Sequence, residues 1–447
     1  MADNNLAVVA GAMDEPVAQT AKALTPVNAL ERIQLIDILR GFALFGVLIA
    51  NMKGYSLPMN AYFGFGADWP GLTPLDQGVD QFILWAIKVK FLSLFAVLFG
   101  LGLSVQLMRA QARGISVVPR YTRRLLVLLM FGTAHFILFW FGDILHTYAL
   151  VGFILLLFRN LSVKVLGRIL QGFFLAIILG TFVGSVVPVF RPHPAPSPKL
   201  KDWQKTQREA AKLQLDQKMQ EEVRILGTGT FTEATQLRAR QWLELYADWG
   251  TLGYFTFVLH LFLMGLYAGK RRIFQDVEAN LPFLRKCMWF GLACLIAGLI
   301  RFVPPTPNIP VSQFVRNLLN AFSGYTFFFY AAGIALLTYR SATWRQKFSV
   351  IGPVGRMALT NYLTHTLLAT SIFYGYGWGL GYFGKMGSTW GLVLSLAIYA
   401  AQIPFSAWWL KNFQFGPVEW LWRSLTYGKV QPMKALPEAQ SRVGAIA

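Results

Sequence analysis

Three polar side chains lie within the apolar segment 35–51, LIDILRGFALFGVLIAN, and their spacing brings them to one side of a helix. Asp37 and Arg40 are one turn apart, and Asn51, about three turns later, returns to the same face. A segment of this length and apolarity is typical of a membrane-spanning helix. Since ionisable side chains inside a bilayer are costly, this line of a carboxylate, a guanidinium and an amide indicates a functional site. The alternative is an ion pair that only fixes the helix to a neighbour.

His135 and Asp143 form a second set of residues whose types suit chemistry. An imidazole is well suited to take a proton from a hydroxyl or an amine near neutral pH. Asp143 follows a glycine in a turn, so it is placed either to orient that imidazole or to cap the next helix at its N-terminus. His135 is equally consistent with a neutral ring that is hydrogen-bonded between helices. We interpret His135, Asp143 and Asn51 as the catalytic residues.

A third group of polar residues in or beside predicted spans is interpreted as binding substrate or cofactor. Its members are Asp37, Arg40, Lys90, Arg356, Asn361 and His365. Asn361 and His365 are about one turn apart and share a face. Lys90 precedes the apolar part of its span, so the alternative is that its ammonium group extends to the membrane interface. The histidines show no metal-ligand spacing, and no metal site is predicted.

The composition is that of a multi-pass membrane protein. The chain has 447 residues, of which 55% are hydrophobic and only 14% are charged, and its mean hydropathy is +0.45. The net charge of +20 would suit nucleic acid, but the basic residues cluster between apolar segments, as the positive-inside rule describes. No nucleic-acid-binding motif is present. The sequence also lacks G-x-x-x-x-G-K-[ST], which argues against an ATP-driven pump.

Hydropathy predicts an all-α fold with about ten transmembrane helices. The predicted spans cover residues 35–51, 81–107, 124–141, 144–158, 166–190, 251–269, 284–303, 312–339, 351–373 and 389–410. The predicted regions are a flexible tail at 1–30, spans one to five in 31–190, a hydrophilic loop with two amphipathic helices at 191–250, spans six to ten in 251–410, and a tail at 411–447 that contains GPVEWLWR. Basic loops follow the even-numbered spans, which predicts that both termini are cytoplasmic and that 191–250 lies outside.

Five stretches resemble the YeiB-like family of bacterial inner-membrane proteins, a domain of unknown function. They are LIDILRGFALFGVLIAN (35–51), KFLSLFAVLFGLGL (90–103), AHFILFWFGDIL (134–145), VGRMALTNYL (354–363) and GPVEWLWRSLT (416–426). They cover both ends and most of the membrane core, but not the loop at 191–250. The resemblance implies localisation in the inner membrane of a bacterium.

That family is similar to a larger group of transmembrane acyltransferases, which includes the lysosomal heparan-glucosaminide acetyltransferase. The shared pattern is D-x-x-R-G, which opens here at Asp37, and Asn51 occupies the position of an active-site asparagine. The histidine of the lysosomal enzyme would fall near Tyr62, where this chain has none, whereas His135 fits the YeiB-like pattern. The resemblance implies acyl-CoA as donor, a glycan or lipid-linked acceptor, contact with membrane lipids and, by analogy, a homodimer.

Three functions follow from these observations. The first is an acyltransferase that moves an acyl group, such as acetyl, from cytoplasmic acyl-CoA to an acceptor at the outer face, with Arg40 among the cations that meet the polyanionic donor. The second is a transporter or exporter of a small organic metabolite that uses the same polar residues as its path. The third is a non-catalytic membrane scaffold, which would tolerate substitution of Arg40.

Overall fold

The computed structural model describes residues 34–434, except for 65–68, 70–72, 191–196, 305–308 and 377–378. The predicted tail at 1–30 and the last part of the tail at 411–447 lie outside the described residues. The part of the chain that is described is built from helices and contains no β-strand. The prediction of an all-α fold is therefore confirmed.

The helices of the first half lead from the long buried helix α1 to the hydrophilic hairpin α8–α9. They are α1 (Gln34–Ser56), α2 (Met59–Phe63), α3 (Pro74–Phe82), α4 (Lys90–Ala112), α5 (Val118–Leu138), α6 (Leu145–Leu155), α7 (Val163–Phe190), α8 (Pro198–Thr228) and α9 (Phe231–Ala247). The two helices predicted in this loop are separated at Gly229 and Thr230, because the Thr230 hydroxyl and Glu233 form a capping box that starts α9.

The helices of the second half return the chain to α1. They are α10 (Gly250–Lys270), α11 (Leu281–Ala297), α12 (Pro310–Ser323), α13 (Phe327–Arg340), α14 (Ala342–Ser349), α15 (Gly352–Arg356), α16 (Ala358–Phe373), α17 (Ser388–Asn412) and α18 (Pro417–Tyr427). Helix α18 carries most of the GPVEWLWR motif. It packs against α5 and the N-terminus of α16.

Eight helical segments of the described chain are long and apolar enough to cross a membrane. They correspond to eight of the ten predicted spans. The fourth and ninth predicted spans are shorter helices, α6, which continues as a 3-10 turn to Phe158, and α16. The chain is thus a multi-pass membrane protein. The sidedness of its termini stays a prediction.

Helix α1 is the centre of the bundle and packs against α4, α15, α16 and α17. It meets α15 backbone to backbone, since a Cβ atom on Gly355 would lie 1.9 Å from the carbonyl oxygen of Asp37. Only glycine permits that approach. The contact brings Arg356 beside the start of α1, where Asp37 and Arg40 lie.

The second predicted span is not one continuous helix. A π-helical turn (Ile83–Ile87) follows α3, and Val89, with φ of +72°, separates this turn from α4. Positive φ is strained for a β-branched residue. The break turns Lys88 and Lys90, which flank Val89, toward different surroundings.

Candidate functional site

A continuous line of hydrogen bonds joins four buried side chains from three parts of the chain. His135 Nδ1 lies 2.7 Å from Asp143 Oδ2, and its Nε2 lies 3.0 Å from the Thr366 hydroxyl. The Thr366 hydroxyl lies 2.9 Å from the hydroxyl of Tyr55. Thr366 and Tyr55 are completely buried, and His135 and Asp143 are 5% exposed.

The carboxylate of Asp143 selects the tautomer of the ring beside it. An ionised carboxylate can only accept hydrogen bonds, so the neutral ring of His135 carries its proton on Nδ1 and presents the Nε2 lone pair to Thr366. The other oxygen of Asp143 accepts from the backbone N–H of His146 at 3.0 Å and lies 2.9 Å from His146 Nδ1. Asp143 therefore contacts an imidazole and also accepts a backbone N–H from the first turn of α6.

Close packing of α5 and α6 positions the two histidines around Asp143. Gly132 makes this possible, because a Cβ atom there would lie 2.2 Å from the backbone nitrogen of His146. His135 stands one turn later in α5, and the chain then reverses through a turn that ends at Asp143. Helices α1 and α16 supply Tyr55 and Thr366 from the opposite side.

Asn51 extends the site along α1. It lies one turn before Tyr55 on the same face, is 2% exposed, and its Oδ1 accepts a hydrogen bond of 3.5 Å from the hydroxyl of Tyr62. Its Nδ2 is buried and, among the described residues, meets no hydrogen-bond partner of acceptable geometry. This amide N–H neighbours the Tyr55 hydroxyl and is a donor suited to an oxygen that enters the site.

A cavity of about 260 Å³ leads from the basic end of the bundle toward this site. We call it the arginine cavity, because six arginines line it. They are Arg40, Arg109, Arg120, Arg124, Arg356 and Arg423. Its far end is lined by Ile144, Leu145 and Tyr362. Ile144 follows Asp143 directly, and the Tyr362 ring lies 5.5 Å from the His135 ring between centroids.

The arginine cavity combines cations with flat apolar surfaces. The Arg124 guanidinium lies over the Trp422 ring at 3.9 Å, and that of Arg120 lies over the Tyr427 ring at 4.9 Å. Two acidic residues also line it: Asp37, 3.4 Å from Arg40, and the buried Glu419. Six guanidinium groups with two carboxyl groups favour a polyanion that also has an apolar or aromatic part.

A second cavity, of about 250 Å³, opens at the other end of α1. We call it the Tyr62 cavity, and its polar lining includes Lys53, Asp80, Lys88 and Ser388. Lys53 pairs with Asp80 at 2.6 Å. Lys88 donates to the carbonyl oxygen of Tyr62 at 2.7 Å and lies 4.3 Å from the centre of its ring. Hydroxyl, carboxyl and ammonium groups beside an aromatic ring suit a polar, hydroxylated ligand.

The structure brings six of the nine predicted site residues to these features. His135 and Asp143 belong to the buried hydrogen-bond line, Asn51 lies one turn from Tyr55 of that line, and Asp37, Arg40 and Arg356 line the arginine cavity. Their roles stay predictions.

The other three predicted residues lie outside both cavities. Lys90 donates to the carbonyl oxygen of Leu84 at 2.8 Å. Asn361 donates to Ser406 at 3.1 Å, and His365 Nε2 lies 2.7 Å from Gln402 Oε1. The last two contacts join α16 to α17, so they serve helix packing.

Several residues of the site were missed by the sequence reasoning. They are Tyr55, Thr366, Tyr362, Lys88 and Trp422. The GRMALTNYL and GPVEWLWR motifs were a usable signal for Tyr362 and Trp422. Thr366 had none, since threonine is frequent in such helices. Within the described residues, no group of three or more histidine, cysteine, aspartate or glutamate side chains is arranged to hold a metal ion.

Comparisons with known proteins point to one family. The DUF418 family, described as a protein of unknown function, matches residues 268–429. The uncharacterized protein YxaH of Bacillus subtilis is 32% identical over 92% of this chain and 98% of its own length. The uncharacterized protein YeiB of Escherichia coli is 31% identical over 90% of this chain and 98% of its own length. An uncharacterized 39.9 kDa protein of Bacillus acidopullulyticus is 27% identical over 93% of this chain and 100% of its own length.

Proposed function

This chain belongs to the DUF418 family, together with YxaH and YeiB, and we propose from the geometry of its site that it is an integral-membrane acyltransferase. The reaction moves an acyl group from acyl-CoA to a hydroxyl or amine of an acceptor. We place the protein in the inner membrane of a bacterium, with the arginine cavity facing the cytoplasm, because acyl-CoA is made there and the basic loops lie at that end.

One observation carries the proposal: the arginine cavity is lined by Ile144 and Tyr362, which neighbour Asp143 and His135. Coenzyme A carries phosphate groups at one end and the reactive thioester at the other. Arginine is the residue that best binds phosphate oxygens, and Trp422 and Tyr427 offer surfaces for an adenine ring. With the phosphates among the arginines, the acyl end points toward Ile144 and Tyr362, which lie next to the imidazole.

The buried hydrogen-bond line provides the proton transfer that acyl transfer needs. His135 Nε2 accepts a proton from the attacking hydroxyl or amine, and Asp143 stabilises the imidazolium that forms. As the nucleophile attacks the thioester, negative charge develops on the carbonyl oxygen. The buried amide N–H of Asn51 is a group suited to stabilise that charge.

The Tyr62 cavity is the proposed acceptor site. It opens toward the end of α1 opposite the arginine cavity, with about 24 Å of helix between Asp37 and Lys53. Its lysines, Asp80 and the Tyr62 ring suit a glycan or a lipid-linked sugar headgroup. The Tyr62 hydroxyl donates to Asn51, which lies one turn before Tyr55 of the buried hydrogen-bond line.

The arrangement of the cavities also supports the second function, transport or export of a small organic metabolite. Two cavities that open in opposite directions around a buried polar layer are typical of a transporter. The two functions differ in chemistry. Transport leaves the substrate intact, whereas acyl transfer releases free coenzyme A.

The test is binding of acetyl-CoA and longer acyl-CoAs to the purified protein in detergent, measured by calorimetry. We expect Arg40→Ala to weaken binding about tenfold, because one charge-assisted contact to phosphate is lost. Arg123→Ala is the matched control, since Arg123 is exposed, neighbours Arg124 and does not line the cavity. His135→Ala should still bind acyl-CoA. A folded protein that binds neither acyl-CoA nor coenzyme A would overturn the proposal and favour transport.

A further inference from the structure

We propose that Thr366 is a nucleophile that carries the acyl group as a covalent ester between donor and acceptor. The inference rests on the proposed acyltransferase function and adds a double-displacement mechanism to it. It is carried by the geometry of Thr366, His135 and Asp143 and by the position of Thr366 between the two cavities.

The three side chains have the relationship of an activated nucleophile, its base and the group that orients the base. The Thr366 hydroxyl is 3.0 Å from His135 Nε2, and His135 Nδ1 is 2.7 Å from Asp143. Hydroxyl, imidazole and carboxylate in this order and at these distances form the constellation that activates a hydroxyl in several unrelated folds.

The hydroxyl of Thr366 differs from those of its neighbours in α16. A buried threonine in a helix commonly donates to the carbonyl oxygen four residues earlier. Thr364 does so to Thr360, and Thr370 does so to Thr366, each at 2.8 Å. Thr366 instead directs its hydroxyl out of the helix, toward His135 and Tyr55. The side-chain conformation of Thr366 is therefore set by its contacts with His135 and Tyr55 and not by a hydrogen bond to its own helix.

Thr366 also lies in the layer that separates the two cavities. The arginine cavity reaches Tyr362, one turn earlier on α16. The Tyr62 cavity is lined by Tyr62, whose hydroxyl donates to Asn51, one turn before Tyr55 on α1. The two cavities share no lining residue among the described parts of the chain. An acyl ester on Thr366 lets the small acyl group cross this layer while coenzyme A stays among the arginines.

The first step forms the ester. Thr366 Oγ1 attacks the thioester carbonyl carbon as its proton passes to His135 Nε2. The carbon–sulfur bond breaks, and the departing thiolate takes the proton from His135, which releases coenzyme A as a thiol.

The second step regenerates the enzyme. The acceptor hydroxyl or amine attacks the ester carbon and gives its proton to His135. The bond to Thr366 Oγ1 breaks, and that oxygen regains the proton. No oxidant, reductant or further reactant is consumed.

The experiment mixes the full-length protein in detergent with radiolabelled acetyl-CoA, without acceptor, and follows free coenzyme A and label bound to protein. We expect a burst of about one coenzyme A per protein chain and a label that survives acid and maps to the peptide containing Thr366. Thr366→Val should lose the label at least tenfold, and Thr366→Ser should keep it at the same position. Thr370→Val is the matched control and should be labelled like the wild type.

The outcomes separate this inference from the proposed function. Label on His135 would make that imidazole the acyl carrier, and full release of coenzyme A by Thr366→Val would mean that another group or water takes the acyl group. Either result would overturn Thr366 as the nucleophile and leave the acyltransferase standing. Binding of acetyl-CoA without any label on the protein would also overturn Thr366 as the nucleophile. A wild-type protein that neither binds nor cleaves any acyl-CoA would overturn the acyltransferase itself. Because the wild-type label is mapped directly, a variant that fails to fold leaves the decision intact.

Discussion

Arg238 Nε lies 2.9 Å from the carbonyl oxygen of Ile137, although the two residues are 101 positions apart in the chain. The same guanidinium donates to the carbonyl oxygen of Leu138 at 2.8 Å and to the hydroxyl of Tyr376 at 2.8 Å. These carbonyls end α5, directly after His135. The buried guanidinium of Arg238, from the hairpin α8–α9, thus donates to the last carbonyl groups of α5, the helix that carries His135.

Replacement of this guanidinium should destabilise the protein. Arg238→Met keeps much of the side-chain volume but leaves two buried carbonyl oxygens without their donor, so we expect a loss of about 3 kcal/mol in the free energy of unfolding. Thermal unfolding in detergent measures this as a drop of several degrees in Tm. Arg240→Met is the control, because Arg240 is 63% exposed in the same helix. Equal Tm values for both variants would show that the hairpin does not support α5.

The pH dependence of stability should reveal a second contact of the hairpin. Glu222 accepts the backbone N–H of Met59 at 2.8 Å, and burial raises the pKa of its carboxyl from 4.5 to about 7. Between these values the unfolded chain has lost the proton and the folded protein retains it. The free energy of unfolding therefore falls as pH rises from about 4.5 to about 7, by about 3 kcal/mol in total.

Glu222→Gln should remove this dependence. We expect the variant to match the wild type near pH 5 and to unfold at a higher temperature near pH 8, as measured by thermal unfolding across that range. Glu221→Gln, at a 48% exposed neighbour, should leave the wild-type profile unchanged. A wild-type profile that is flat between pH 5 and 8 would contradict a buried titrating Glu222.

Local periodicity predicted much of the fold and part of the site. The length and apolarity of each segment predicted the helices, and helical spacing predicted the pairing of Asp37 with Arg40, 3.4 Å apart. The turn before Asp143 allowed its contact with His135 to be anticipated. In each case the two residues are within about a dozen positions, so chain geometry alone limits where they lie.

Residues brought together by tertiary packing could not be predicted in this way. Thr366 and His135 are 231 positions apart, and nothing local distinguishes Thr366 from other helical threonines. The irregular backbone at Val89 made Lys88, not Lys90, the lysine that reaches a cavity. His365 has the chemistry of a site residue, but its Nε2 pairs with Gln402 on the adjacent helix. These contacts depend on how the helices pack, which local spacing in a single sequence does not reveal.

The tautomer of His135 gives a sharp prediction for Asp143→Asn. An amide can donate to Nδ1, which would shift the ring proton to Nε2 and remove the lone pair that accepts a proton from the nucleophile. We expect the rate of coenzyme A release to fall by on the order of 10³- to 10⁴-fold, with acyl-CoA affinity unchanged within about twofold, since Asp143 does not line the arginine cavity. Rapid-quench assays and calorimetry measure the two quantities. Unchanged turnover would exclude His135 as the base.

Glu419 of α18, the last helix of the described chain, should affect both stability and acyl-CoA binding in the arginine cavity. This buried carboxyl accepts the backbone N–H groups of Leu359 and Thr360 at 2.6 and 3.0 Å, which start α16, and burial raises the pKa of Glu419. Glu419→Ala leaves these donors unsatisfied at the cavity wall, so we expect a loss of about 2–4 kcal/mol in stability and weaker acyl-CoA binding. Glu419→Gln keeps an oxygen acceptor and should stay close to the wild type. Thermal unfolding with and without acyl-CoA measures both effects. If alanine and glutamine behaved alike, the contact would not hold α16 in place, and the cavity would not depend on α18.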